Sequence, residues 1–205
     1  MRIALLVSLT FLLAADDKAP LNRTRDREVD IHHMKINVTV DLKAESVYGH
    51  VTHTLSPLSA SLKSFALDAE DMTIRRVRHK DKDILFDHSG DKLYITLDNE
   101  VGWNDTLNIR IDYTSFPRVG VFFVSPDEIY PDKPWQAWTQ GEMTDNHHWV
   151  PMYDYPNERN TFEILLTVDK KLKAVSNGEL ISVKDNNDGT HTWHWHEHFP
   201  MVGYL

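Results

Sequence analysis

The sequence predicts an all-β protein, a saddle-like β-sandwich or open barrel of many short, mostly antiparallel strands. Three observations carry that prediction. Stretch after stretch alternates apolar and polar residues with a period of two, as a strand does when one face packs on a core and the other meets water. Beyond the N-terminal apolar run, no window of about 11 residues shows the helical period. Turn residues punctuate the strands at short intervals, as sandwiches and open barrels require.

The elements follow in order. In His32–Leu42 the even positions Met34, Ile36, Val38, Val40 and Leu42 are apolar, and the odd positions His33, Lys35, Asn37, Thr39 and Asp41 are polar. Ala44 to Gly49 carries turn chemistry, and Val47, Gly49, Val51, His53 and Leu55 share one face of a second strand. Phe65 and Leu67 mark a short strand ending at Asp68-Ala69-Glu70. Met72 and Ile74 to Val77 form the next, with a bulge expected at Arg75-Arg76, where the alternation slips by one. Asp81-Lys82-Asp83 and Ser89-Gly90-Asp91 read as turns around Ile84–Phe86. Leu93, Ile95 and Leu97 alternate, as do Leu107, Ile109, Ile111 and Tyr113, and then Phe162, Ile164, Leu166 and Val168. Asp188-Gly189 signals a hairpin between Leu180–Val183 and Thr190–Glu197.

Composition narrows the function classes. A chain of 205 residues supports one domain with a sizeable core. A net charge of −9 argues against a nucleic-acid partner, because phosphate binding needs a basic face. There is no cysteine, so disulfides, thiolate metal sites and a cysteine nucleophile are excluded. Arg2, the apolar run Ile3 to Ala15 and the polar break Asp16-Asp17 describe a secretory signal peptide over residues 1–15. The run is too short to span a bilayer, so export without a transmembrane segment is expected. Residues 16–28 are polar without periodicity and read as a lead-in; residues 29–205 form the domain.

The most unusual stretch is Trp135 to Asn160. It holds three of the six tryptophans, two adjacent histidines, four acidic residues and two prolines, without a regular apolar period. Aromatic and ionisable groups in an irregular segment suggest a loop lining a pocket, or an aromatic-rich connection buried for packing.

Within it, Trp138-Thr139-Gln140-Gly141-Glu142, Trp149-Val150-Pro151 and Tyr153-Asp154-Tyr155-Pro156-Asn157-Glu158-Arg159 stand in order before a strand bearing Phe162. This set resembles the signature region of the N-terminal domain of aminopeptidase N-type zinc aminopeptidases, the gluzincins that include leukotriene A-four hydrolase. Ser176-Asn177-Gly178 and Pro200-Met201-Val202-Gly203-Tyr204-Leu205 also fit, so the resemblance runs from about Asp30 to the last residue. It implies a domain of a longer exported enzyme that releases N-terminal amino acids from peptides. The partners it implies are the peptide N-terminus and the enzyme's own catalytic domain, where the zinc cofactor is expected.

The resemblance also implies a substrate contact. The glutamate of Thr-Gln-x-Glu, here Glu142, would bind the free α-amine, and Gln140 would border the first side-chain pocket. An α-amine has a pKa of about 8, so it is largely protonated at neutral pH, and a partly desolvated carboxylate suits it. Asp154, Pro156 and Arg159 are read as shaping the loop that holds Glu142.

Catalytic machinery is not expected in this chain. His-Glu-x-x-His and Gly-x-Met-Glu-Asn are both absent; the nearest string is His196-Glu197-His198, with Pro200 beyond it. The chain alone is therefore expected to be inactive. No Gly-x-Ser-x-Gly elbow supports a serine hydrolase.

Two other readings compete. One is a non-catalytic β-sandwich that binds a protein or carbohydrate through the Trp135–Trp149 loop. The other is a metal-binding β-domain, since His194, His196 and His198 would project from one face of a strand with Trp193 and Trp195 packed behind. His32-His33 and His147-His148 are adjacent pairs, expected to point to opposite sides of an extended chain and so not to chelate. No metal ligand is assigned in this chain.

Overall fold

A computed structural model describes residues 24–205. The leader expected over residues 1–15, and residues 16–23 of the lead-in, lie outside the described residues.

Thirteen strands appear in chain order: β1 (Val29–Asp41), β2 (Ser46–Pro57), β3 (Leu62–Asp68), β4 (Met72–His79), β5 (Lys82–Asp83), β6 (Leu85–Ser89), β7 (Lys92–Val101), β8 (Leu107–Ser115), β9 (Val121–Val124), β10 (Gln136–Thr139), β11 (Arg159–Asp169), β12 (Glu179–Asp185) and β13 (Thr190–Val202). Among the described residues the one helical element is a single 3-10 turn, Asn146–His148. Eight strands form a large sheet in the order β12-β13-β11-β1-β2-β8-β4-β5. A smaller sheet, β3-β7-β6, and a two-stranded ribbon, β9-β10, complete the architecture.

The period-two rows become the core. Met34, Ile36 and Val38 of β1, Val47, Val51, His53 and Leu55 of β2, and Leu107, Ile109, Ile111 and Tyr113 of β8 are all buried. Phe65 and Leu67 of β3 and Leu93, Ile95 and Leu97 of β7 belong to the same apolar cluster. Burying these side chains between two sheets drives the fold, at roughly 1.5–3 kcal/mol for each large residue.

Two bulges let the pattern work. The register of β4 against β8 shifts between Ile74 and Arg76, where the sequence slips by one. The shift keeps both Ile74 and Val77 inside. A second shift, between Ile31 and His33 of β1, brings Val29 and Ile31 to the same buried side as Met34. That bulge starts the strand three residues before His32, the limit set by the sequence alternation.

The pairing of β1 with β11 is parallel, from His33 opposite Thr161 to Thr39 opposite Thr167. It joins the two halves of the large sheet. The expected Asp188-Gly189 hairpin links β12 to β13.

The polar lead-in is not loose where it is described. Arg25 pairs with buried Asp68, and Arg27 pairs with buried Glu158. The Glu28 carboxylate accepts from the Ala66 N–H at 3.0 Å.

Candidate functional site

The Trp135–Asn160 stretch divides in two. Its first part is exposed: β10 pairs with β9, and Trp138 stacks on Phe122 with ring centroids 4.6 Å apart. Its second part is core, with Trp149, Val150, Met152 and Tyr153 buried. The packing reading therefore holds for the second half, and of the first half Trp135 lines a groove.

Glu142 and Gln140 lie at the junction, and both side chains are exposed. The backbone before them is fixed by the Gln140 N–H, which donates to the Gly120 carbonyl at 3.0 Å. The backbone after them turns back, and the Asp145 N–H donates to the Gly141 carbonyl at 3.0 Å. Gly141 is buried, and a Cβ there would lie 2.3 Å from Asn146 Nδ2. Asn146 is itself held on two sides. Its Oδ1 accepts from Trp149 Nε1 at 2.8 Å, and its Nδ2 donates to the Gly203 carbonyl at 2.6 Å.

Gly120 is required by two features at once. Its φ is +79°, and a Cβ would lie 2.1 Å from the Asp145 carbonyl oxygen. Gly120→Ala is expected to destabilise the domain by roughly 1–3 kcal/mol, measured by urea unfolding. A smaller loss would mean that the turn relaxes freely.

Asp154 is a loop shaper, as read from the sequence. Its buried Oδ2 accepts from the His147 backbone N–H and from His147 Nδ1, each at 3.0 Å. Its own N–H donates to Asp68 Oδ2 at 2.8 Å. Burial disfavours the charged His147 imidazole, but the hydrogen bond and charge of Asp154 outweigh that and raise it above its ordinary value. Arg159 is exposed, and its neighbour Glu158 is the buried anchor. Glu158 pairs with Arg27 and accepts from the Ile31 N–H at 3.1 Å. A buried acid flanked by two polar residues carries no sequence signal, so Glu158 went unpredicted.

The histidine expectations divide. His194, His196 and His198 do share the outer face of β13, the His196 and His198 rings 4.0 Å apart, and Trp195 packs behind, donating from Nε1 to the Ala174 carbonyl at 3.2 Å. His194 is taken up by Glu163, which Lys35 Nζ also reaches at 2.9 Å. Burial opposes the charged carboxylate, but Lys35 and His194 win and hold Glu163 at about 2. The expectation for His147-His148 is corrected. The pair sits in the 3-10 turn, not on an extended chain. With three residues per turn, successive side chains diverge by about 120° and not 180°. The two rings lie side by side, centroids 4.5 Å apart.

A groove of about 650 Å³ lies elsewhere, at one end of the large sheet. Trp135, Val40, Leu42, Tyr48 and Leu172 line it, whereas Gln140 and Glu142 do not.

A family model described as the Peptidase M1 N-terminal domain matches residues 30–205. The chain belongs to this family. The M1 N-terminal domain described here is 24% identical over 182 residues to leucine aminopeptidase 2 of Vanderwaltozyma polyspora, covering 85% of this chain and 27% of that protein. It is 25% identical over 201 residues to leukotriene A-4 hydrolase of Xenopus laevis, covering 91% of this chain and 32% of that protein. The chain thus spans less than a third of the length of either relative. Among solved structures, the M1 zinc metallopeptidase of Deinococcus radiodurans superposes with a TM-score of 0.76 at 21% identity, over 88% of this chain and 42% of that one. Native leukotriene A4 hydrolase of Saccharomyces cerevisiae gives 0.72 at 16% identity, over 86% and 28%. These likenesses bear out the sandwich fold. The M1 N-terminal domain carries no His-Glu-x-x-His, so its residues do not fit the zinc site of that motif.

Proposed function

We propose that this domain is the substrate-gripping part of an exported zinc aminopeptidase, with Glu142 receiving the α-ammonium group of a peptide and Gln140 bordering the first side-chain pocket. The observation that carries the reading is the exposed carboxylate of Glu142 on a backbone pinned from both sides. A charge-assisted hydrogen bond gains from such preorganisation, because little loop entropy is lost on binding. Exposed Trp138 and Met143 flank Glu142 and offer apolar surface to a catalytic domain. Export is supported by the apolar run Ile3 to Ala15. With no zinc motif in the sequence, hydrolysis is assigned to the partner domain.

In the enzyme carrying both domains, Glu142→Ala is expected to raise KM for peptides with a free N-terminus by more than about tenfold, near 1.4 kcal/mol. Steady-state kinetics against an N-acetylated control checks this. An unchanged KM would remove Glu142 from the site.

A further inference from the structure

The end of β3 and the 3-10 turn meet in a cluster that α-amine binding leaves unused. Glu70 lies two residues beyond β3, and its backbone N–H donates to the His147 carbonyl at 3.0 Å. His147 Nε2 lies 3.5 Å from Glu70 Oε2, and His148 Nε2 lies 3.8 Å from the same oxygen. One ligand atom from each of the three residues falls within 4.8 Å of the other two. The remaining ring nitrogens face other acids. His147 Nδ1 is 3.0 Å from Asp154 Oδ2, and His148 Nδ1 is 3.0 Å from Asp71 Oδ2. An ionised carboxylate only accepts, so each Nδ1 carries the hydrogen, and each Nε2 of a neutral ring presents a lone pair. Two lone pairs and a carboxylate oxygen therefore converge on one space. Their mutual repulsion is relieved by a proton on His147, which Asp154 and Glu70 favour, or by a metal ion.

We propose that Glu70, His147 and His148 bind one divalent transition-metal ion of the zinc class, with the fourth position open to water. The donor set is two imidazoles and a carboxylate, which suits zinc and not the all-oxygen sites of calcium or magnesium. The spacing fits as well. Bonds of about 2.0–2.2 Å in a tetrahedron hold ligand atoms roughly 3.3–3.5 Å apart, and two of the three gaps are 3.5 and 3.8 Å. Asp154 and Asp71 supply the outer layer that fixes the tautomer and orientation of a metal-binding imidazole and raises its basicity. The Asp154 side chain is 1% exposed and those of the histidines 14% and 13%, so the rings are set before any ion arrives. The Glu70 side chain is 47% exposed, which leaves a path from solvent.

The other histidine group is a poorer host. The His196 and His198 rings lie tilted at 4.0 Å; of the acids beside that face, Glu163 already carries the Lys35 ammonium and His194, and Glu179, 3.9 Å from His198, is 73% exposed. A fixed cation at the carboxylate opposes a second one. At the Glu70 cluster, a bound ion would rivet the end of β3 to the 3-10 turn. That turn carries Asn146, the residue seated against Gly141, so the ion would also restrain the backbone that presents Glu142.

The test is a zinc titration of the chelator-stripped chain by calorimetry, paired with thermal unfolding. One equivalent is expected to bind and to raise Tm. Glu70→Gln changes a half-exposed side chain that the fold does not need, and it is expected to weaken binding at least about tenfold. Asp71→Asn, acting through His148, is expected to weaken it by about 10–100-fold. His196→Gln is expected to leave it unchanged. Zinc-edge X-ray absorption is expected to show two imidazoles in the coordination shell. The proposal is overturned by no saturable uptake, by full-strength uptake in Glu70→Gln, or by loss of uptake in His196→Gln.

Discussion

Lowering the pH from 6.5 to 4 is expected to remove about 3 kcal/mol of stability through one residue, His53. This side chain is fully buried on β2, where Nε2–H donates to the Pro151 carbonyl at 2.9 Å and Nδ1 has no partner. Burial pushes its pKa down to about 4, against a smaller upward pull from the Pro151 hydrogen bond. Between 6.5 and 4 the unfolded chain takes a proton that the folded chain refuses. The contribution is therefore complete above pH 6.5 and lost as pH falls through the folded value. His53→Leu removes this titration but leaves the Pro151 carbonyl unpaired, which costs about 1–3 kcal/mol at neutral pH. The expected pattern is a variant weaker than wild type at pH 7.5, with the gap closed or reversed at pH 4. Urea unfolding at both values measures it, and equal pH slopes in the two proteins would refute it. Acids elsewhere titrate alike in both, so the difference isolates His53.

Asp68→Ala is expected to lose about 3–5 kcal/mol, as removal of one partner from a buried ionic network does. The Asp68 side chain is only 4% exposed and lies between Arg25 and Lys92. It also accepts the Asp154 N–H, and its backbone forms an isolated bridge with Met152. Burial works against its charge, but the Arg25 and Lys92 hydrogen bonds prevail and hold its carboxyl below the usual range. That stability is present above the unfolded aspartate value and is lost as pH falls through the depressed one. Truncation strands two half-buried cations and loosens Asp154, which positions His147. Denaturant unfolding checks the magnitude. Hydrogen exchange is expected to quicken at Val150–Asp154. A loss below about 1 kcal/mol would mean that water replaces the carboxylate cheaply.

Much of the fold was legible because a sandwich strand states its inward face every second residue. The rows in β1, β2, β7 and β8 gave the core directly, and the slip at Arg75-Arg76 gave a bulge. The short ribbon of β9 and β10 gave no such signal, since four residues against a single neighbour strand need little pattern. The parallel partnership of β1 with β11 was also invisible, because pairing between distant segments leaves no local trace. At the candidate site, Gln140 and Glu142 were found through an ordered motif, and Asp154 through its turn chemistry. The Glu70 cluster was missed for a definite reason. Adjacent histidines are harmless on a strand and convergent on a 3-10 turn, and Glu70 is brought in from 77 positions earlier by the end of β3.

The β1–β11 junction also governs the order in which the molecule can be made. His33 and its opposite number Thr161 are 128 residues apart. At ribosomal speeds of about 5–20 residues per second, the second arrives roughly 6–26 s after the first. During that interval β1 can pair with β2, a hairpin away, but its other edge is a row of unsatisfied amides and carbonyls next to a finished apolar face. Such an edge invites pairing with any extended chain nearby. High contact order slows the closing step further. In the nascent domain β1 therefore lacks its second neighbour until Asp169 has emerged.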